Sequence, residues 1–168
     1  MTKTPFLWLL LALPLTASAA DAGKDKDAQQ RRILNEGYSI LYRDARTLSA
    51  VKYLLWIKLE SDDFDAVVTE VSEFGTRLHS DLADLPSRYP AVKVDLDPLP
   101  EMEKRKRIAT GWDKFKSVAP LTGADGRKWE RIVLNSMTNG INQERHLAAE
   151  IAKDETDPDL KQFALKTQ

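Results

Sequence analysis

The 168-residue chain has no cysteine and only two histidines, His79 and His146. Without cysteine there is no disulfide, no thiolate metal site, no thiol nucleophile and no lipid-modified cysteine after a leader. Stability has to come from a packed core, which a chain of this length can supply. Charge of one sign is also missing: 25 Lys+Arg stand against 26 Asp+Glu. That balance gives no electrostatic drive toward nucleic acid or an anionic membrane surface. Only seven glycines occur, and no Ser stands in a G-x-S-x-G setting. Gly123 and Gly126 lack the rest of a phosphate-loop motif, so the sequence carries no nucleotide or nucleophile-elbow signature.

What is present begins with the N-terminus. Lys3 is followed by an apolar run from Phe6 to Leu15, broken only by Pro14, and then by Thr16, Ala17, Ser18, Ala19 and Ala20. A positive start, a short apolar stretch and small residues make the order of a secretory signal peptide. The run of ten residues is shorter than the roughly 20 that a membrane-crossing helix needs. Residues 1–19 therefore read as a signal peptide cleaved after Ala19, with Ala20 as the neighbouring site, and no stable membrane anchor remains. The expected location is periplasmic in a Gram-negative host and secreted elsewhere. Residues 20–28 read as a flexible tail, and residues 29–168 as a single helical domain.

Helical patterning fills that domain. Leu34, Leu41, Leu48 and Leu55 recur every seven residues, with Tyr38, Ala45 and Leu59 in the second seam position and Lys52 interrupting it. This predicts one helix from Ile33 to Glu60, packed along its whole length. Ser61, Asp62 and Asp63 suit the start of a second helix. Phe64, Val67, Val68, Val71, Phe74, Leu78, Leu82 and Leu85 give it an apolar stripe, and Pro86 is expected to end it.

In residues 86–100, four prolines and the alternation of Val92, Val94 and Leu96 with Lys93 and Asp95 indicate an extended crossover along the bundle. A third helix over Glu101–Ala119 would bury Met102, Ile108, Trp112 and Phe115. A fourth from about Arg127 to Lys153 would bury Trp129, Val133, Met137, Gly140, Ile141, Leu147, Ala148 and Ile151. Gly140 there suggests close approach of another helix. Asp157 followed by Pro158 starts a short fifth helix to Lys166, docked by Leu160, Phe163 and Ala164. The expected fold is all-α: an antiparallel four-helix bundle with a long Pro-rich crossover and a short C-terminal fifth helix.

No catalytic, cofactor-binding or metal residues are assigned. His79 and His146 lie beside apolar stripes, and His146 and Glu150 could share a helix face, but Glu-x-x-His pairs of the di-iron kind are missing. The basic run Lys104–Arg107 follows Glu101 and Glu103 at i,i+4 spacing, the pattern of a solvated face. One polar stripe stands out. Asn139, Asn142, Gln143 and His146 fall on one side of the fourth helix, and Lys58 and Glu60 end the most apolar part of the first. The stripe is either a solvated flank or a buried network that pairs across the bundle. The network reading expects Asn142 or His146 to be buried.

FGTRLHSDLADL in the second helix, WERIVLNSM in the fourth and the closing DPDLKQFALKT resemble segments of a family of secreted bacterial helical proteins of unknown function. The resemblance implies a ferritin-like four-helix fold. The family's second helical histidine would fall near Ile141 or Asn142, so no metal chemistry carries over. Together these readings point to an exported, non-catalytic binding or scaffold module of the cell envelope without a cofactor. Its partner would be another envelope protein or a small ligand. The alternative is a degenerate ferritin-like metal or redox-associated protein.

Overall fold

The computed structural model describes residues 17–56, 61–95, 105, 108–109 and 126–168. It is all-helical over these residues: α1 (Ala17–Ser49), a 3₁₀ segment (Val51–Trp56), α2 (Asp62–Arg88), α3 (Gly126–Asp154) and α4 (Pro158–Lys166). No helix among the described residues is long and apolar enough to cross a membrane.

The heptad seam of α1 is the centre of the core. Leu34, Tyr38, Leu41, Ala45 and Leu48 are all buried, while Leu55 and Leu59 lie outside the described side chains. Residues 20–28, expected as a tail, are helical and form the opening turns of α1. Ala and Lys there are good helix formers, and the packed turns beyond them already meet the cost of nucleation. Gln30 ties α1 to the end of α3: its Nε2 donates to the Asp154 carbonyl at 2.6 Å.

The far end of α1 stops earlier than the expected Glu60. Ser72 on α2 donates its hydroxyl to the Ser49 carbonyl at 2.6 Å. In a continuing helix that carbonyl would serve the amide of Tyr53, which bonds Ala50 instead at 3.1 Å. The chain tightens into a 3₁₀ segment at this crossing.

α2 begins as its cap residues require. The Ser61 hydroxyl accepts from the amide of Phe64, with Asp62, Asp63 and Asp65 in the first turn. Ser61 N also donates to Glu130 Oε1 at 2.7 Å, tying the start of α2 to α3. The helix runs through Pro86 to Arg88 rather than ending at the proline. Its buried face is Phe64, Val68, Ser72, Gly75, Leu78, Leu82 and Leu85. Val67, placed on the stripe by spacing, is exposed. Small Ser72 and Gly75 take the inner positions because α1 crosses there.

Past α2 the alternation is realised as far as the described residues reach. Val92 and Val94 are buried, whereas Ala91, Lys93 and Asp95 are exposed. Buried Asn35 holds this strap as a neighbouring strand would: Nδ2 donates to the Ala91 carbonyl and Oδ1 accepts from Lys93 N, both at 3.0 Å. Arg43 of α1 reaches Asp95 at 3.7 Å.

Most of the expected third helix lies outside the described residues. Arg105, Ile108 and Ala109 are helical and exposed, so Ile108 does not join the core. α4 matches its expected span. Asp157 caps it through the amides of Asp159 and Leu160, and Leu160 and Ala164 are buried.

Two clusters result. One joins Leu34, Tyr38, Leu41 and Ala45 of α1 to Leu78, Leu82 and Leu85, to Val92 and Val94, to Ile151 and Ala152, and to Leu160 and Ala164. The other groups Phe64 and Val68 with Trp129, Val133 and Met137, with the Phe64 and Trp129 rings 5.2 Å apart.

Candidate functional site

Two carboxyl groups are buried along the seam between α1 and α3, and their surroundings are opposite. Glu155 follows the last residue of α3. Its Oε1 and Oε2 accept from Arg31 Nη2 and Nη1 at 2.8 and 3.0 Å. Oε2 also accepts from the Tyr38 hydroxyl at 3.1 Å, and Oε1 from the amides of Thr156 and Asp157 at 3.0 and 3.2 Å. Burial by itself would raise the pKa of this carboxyl. The Arg31 hydrogen bonds, the Asp157 amide, the Arg31 charge and the Tyr38 hydroxyl outweigh that and hold it below the ordinary value. Burial and the Glu155 charge push the Tyr38 hydroxyl the other way, far above its usual range, so Tyr38 stays a donor. Glu155 is therefore an ionised, fully partnered knot that fastens α1 to the α3–α4 turn.

Glu144 is its converse. It is 4% exposed, and its Oε2 has no hydrogen-bond partner. It sits between Gly140, where an added Cβ would lie 3.9 Å from Leu48, and Leu147 and Ile151, which face Gly37. Burial, and then the Asp44 charge on α1, raise its pKa to about 8. At neutral pH Glu144 is a neutral acid with a proton to lose.

The polar stripe takes a different position from the buried one considered above. Asn139, Asn142, Gln143 and His146 are all exposed, and Lys58 and Glu60 lie outside the described residues. The buried polar member of α3 is Glu144 instead. Its signal was available: Glu144 is seven residues after Met137 and four before Ala148, inside the apolar seam. His79 stacks on Tyr42, with ring centroids 4.3 Å apart and planes 20° from parallel. Among the described residues no three His, Asp or Glu side chains converge as metal ligands. A surface depression over Lys52, Thr69, Ser72, Glu73, Thr76 and Arg77 contains the exposed Arg77–Glu73 pair at 3.7 Å.

No family model, curated protein or solved structure matches this chain.

The exposed stripe gives a direct expectation. Single alanine variants of Asn139, Asn142, Gln143 and His146 should each change stability by less than about 0.5 kcal/mol, as at other exposed positions. Thermal denaturation of the four checks this, and a loss above about 1 kcal/mol in any of them would show a buried partnership.

Proposed function

We propose that the chain is an exported, non-catalytic helical protein that binds or scaffolds within the cell envelope, in the periplasm where the host is Gram-negative. The observation that carries this reading is the order of Lys3, the apolar run to Leu15 and Ala17-Ser18-Ala19. Support also comes from how the buried polar groups are used: Asn35, Ser72 and Glu155 bond other parts of the chain and hold its shape. The uncommitted polar groups of α3 lie outward, where a partner protein or a small ligand could meet them.

The matching overall fold is an antiparallel bundle with a Pro-rich crossover. The contacts favour it. Asn35, early in α1, meets the strap after α2, and Ser49, at its end, meets Ser72 within α2. Arg31 meets Glu155 beyond α3, and Leu48 lies against Gly140.

Mass spectrometry of the exported protein tests the reading. Ala20 or Asp21 is expected as the first residue. Met1 retained in a membrane fraction would overturn export by cleavage. Elemental analysis of the same material tests the non-catalytic part. Stoichiometric iron, manganese or zinc, lost in His79→Ala or His146→Ala, would replace it with the metal-protein alternative.

A further inference from the structure

We propose that Glu144 is a proton-operated catch between α1 and α3: protonated it lets the two helices pack, and ionised it loosens them.

The argument starts from geometry. A carboxylate oxygen removed from water and given no donor cannot carry its charge at low cost, whereas the neutral acid can be buried. Glu144 is 4% exposed with Oε2 unpartnered. It lies on the face of α3 that meets α1, between the Leu48–Gly140 contact and the packing of Leu147 and Ile151 around Gly37. Any charge it acquires is therefore inside this interface.

Among the described residues, the charged groups around it do not relieve that charge. On α1 the neighbour is Asp44, of the same sign, which opposes ionisation. Arg43, next in sequence, reaches Asp95 of the strap. On α3 itself Arg145 and His146 are exposed. The buried faces of α2 and α4, Phe64 to Leu85 and Leu160 with Ala164, carry no charge. The pKa of about 8 agrees with this placement.

Glu155 gives the catch its complement. It lies eleven residues along the chain, roughly 16 Å at helical rise, and fastens the same two elements through a group that must be ionised. One end of the α1–α3 seam thus weakens as pH falls below the ordinary carboxyl value of 4.5 and the other as pH rises above it. The interface can therefore open with rising pH while the Glu155 end stays tied. This inference does not depend on where the protein acts.

The sign is as follows. The folded-state pKa of Glu144 is raised above its ordinary 4.5. Its contribution is fully present below about 4.5, declines as pH rises and is wholly lost above about 8. Opening should therefore increase about tenfold per pH unit through that window and level off beyond it.

The test is hydrogen–deuterium exchange of the full chain between pH 6 and 9.5, corrected for intrinsic exchange, on peptides spanning residues 37–48 and 137–152. The parent should lose at least about tenfold protection there between pH 6 and 9, and Glu144→Gln should lose none of it. Asp44→Asn should move the midpoint to lower pH, because the charge that opposes ionisation is gone. Glu144→Met, an apolar side chain of similar length, provides a second non-titrating variant should the glutamine variant fold poorly. A parent whose protection is flat over this range would overturn the proposal. So would non-titrating variants that keep the parent's pH dependence.

Discussion

Glu155→Ala should destabilise the protein by about 3–5 kcal/mol, the cost of taking a buried carboxylate from a part-buried Arg31 and from the buried Tyr38 hydroxyl. The substitution leaves the Tyr38 hydroxyl and the amides of Thr156 and Asp157 without their acceptor, and it frees Arg31 from α3. Urea denaturation at pH 7 measures the loss. The exposed Lys153–Glu150 pair supplies the contrast. Its 2.5 Å separation is shorter than any Arg31–Glu155 contact, yet Lys153→Ala should cost under about 0.5 kcal/mol. Burial decides the difference, since water already satisfies the exposed pair. The pH dependence follows from the lowered pKa of Glu155. The stability it contributes is present above its ordinary value of 4.5 and is lost as pH falls through the lower folded-state value. Glu155→Ala should remove that part of the acid limb. An alanine variant as stable as the parent would refute the knot.

Gly75→Ala should cost about 3 kcal/mol or more, beyond the usual range for one added methyl group because backbone blocks it. A Cβ at Gly75 would lie 2.5 Å from Ser49 N, 2.7 Å from Leu48 Cβ and 2.8 Å from Leu48 C. Two of those atoms are main chain, so relief requires α1 and α2 to part, which also strains the Ser72–Ser49 hydrogen bond. Alanine's intrinsic helix advantage of about 1 kcal/mol is too small to offset this. Gly140 makes the control. The nearest atom to an added Cβ there is Leu48 Cδ2 at 3.9 Å, an ordinary contact. Gly140→Ala should therefore keep alanine's helix advantage and stabilise by up to about 1 kcal/mol. Urea midpoints of the two variants moving in the same direction would show that the crossing at Gly75 is wrongly described.

Sequence patterning located the helices well where a side chain reports its burial through spacing. The α1 seam, the Ser61 cap, the alternation of Val92 and Val94 and the whole of α4 were legible in this way. The two glycines were not. Gly140 sits mid-helix in the stripe, where the pattern suggests the close approach, but Gly75 makes it. A glycine has no side chain to carry a pattern, so only the placement of the facing helix tells which one is needed. Glu144 carries no mark as a site in the pattern alone. Its spacing from Met137 and Ala148 points inward, but only the packing of α1 against α3 shows that its carboxyl is enclosed.

Local period and residue type were enough to set the helical class, most of the apolar faces and the caps among the described residues. The tertiary structure alone decided the end of α1 at Ser49, where a carbonyl is drawn to Ser72 across the crossing. It also decided the fates of the two buried acids, Glu155 ionised among five hydrogen bonds and Glu144 neutral with an oxygen unpartnered. A carboxyl group's charge inside a protein depends on the donors and charges that surround it, and residues far apart in the chain supply them.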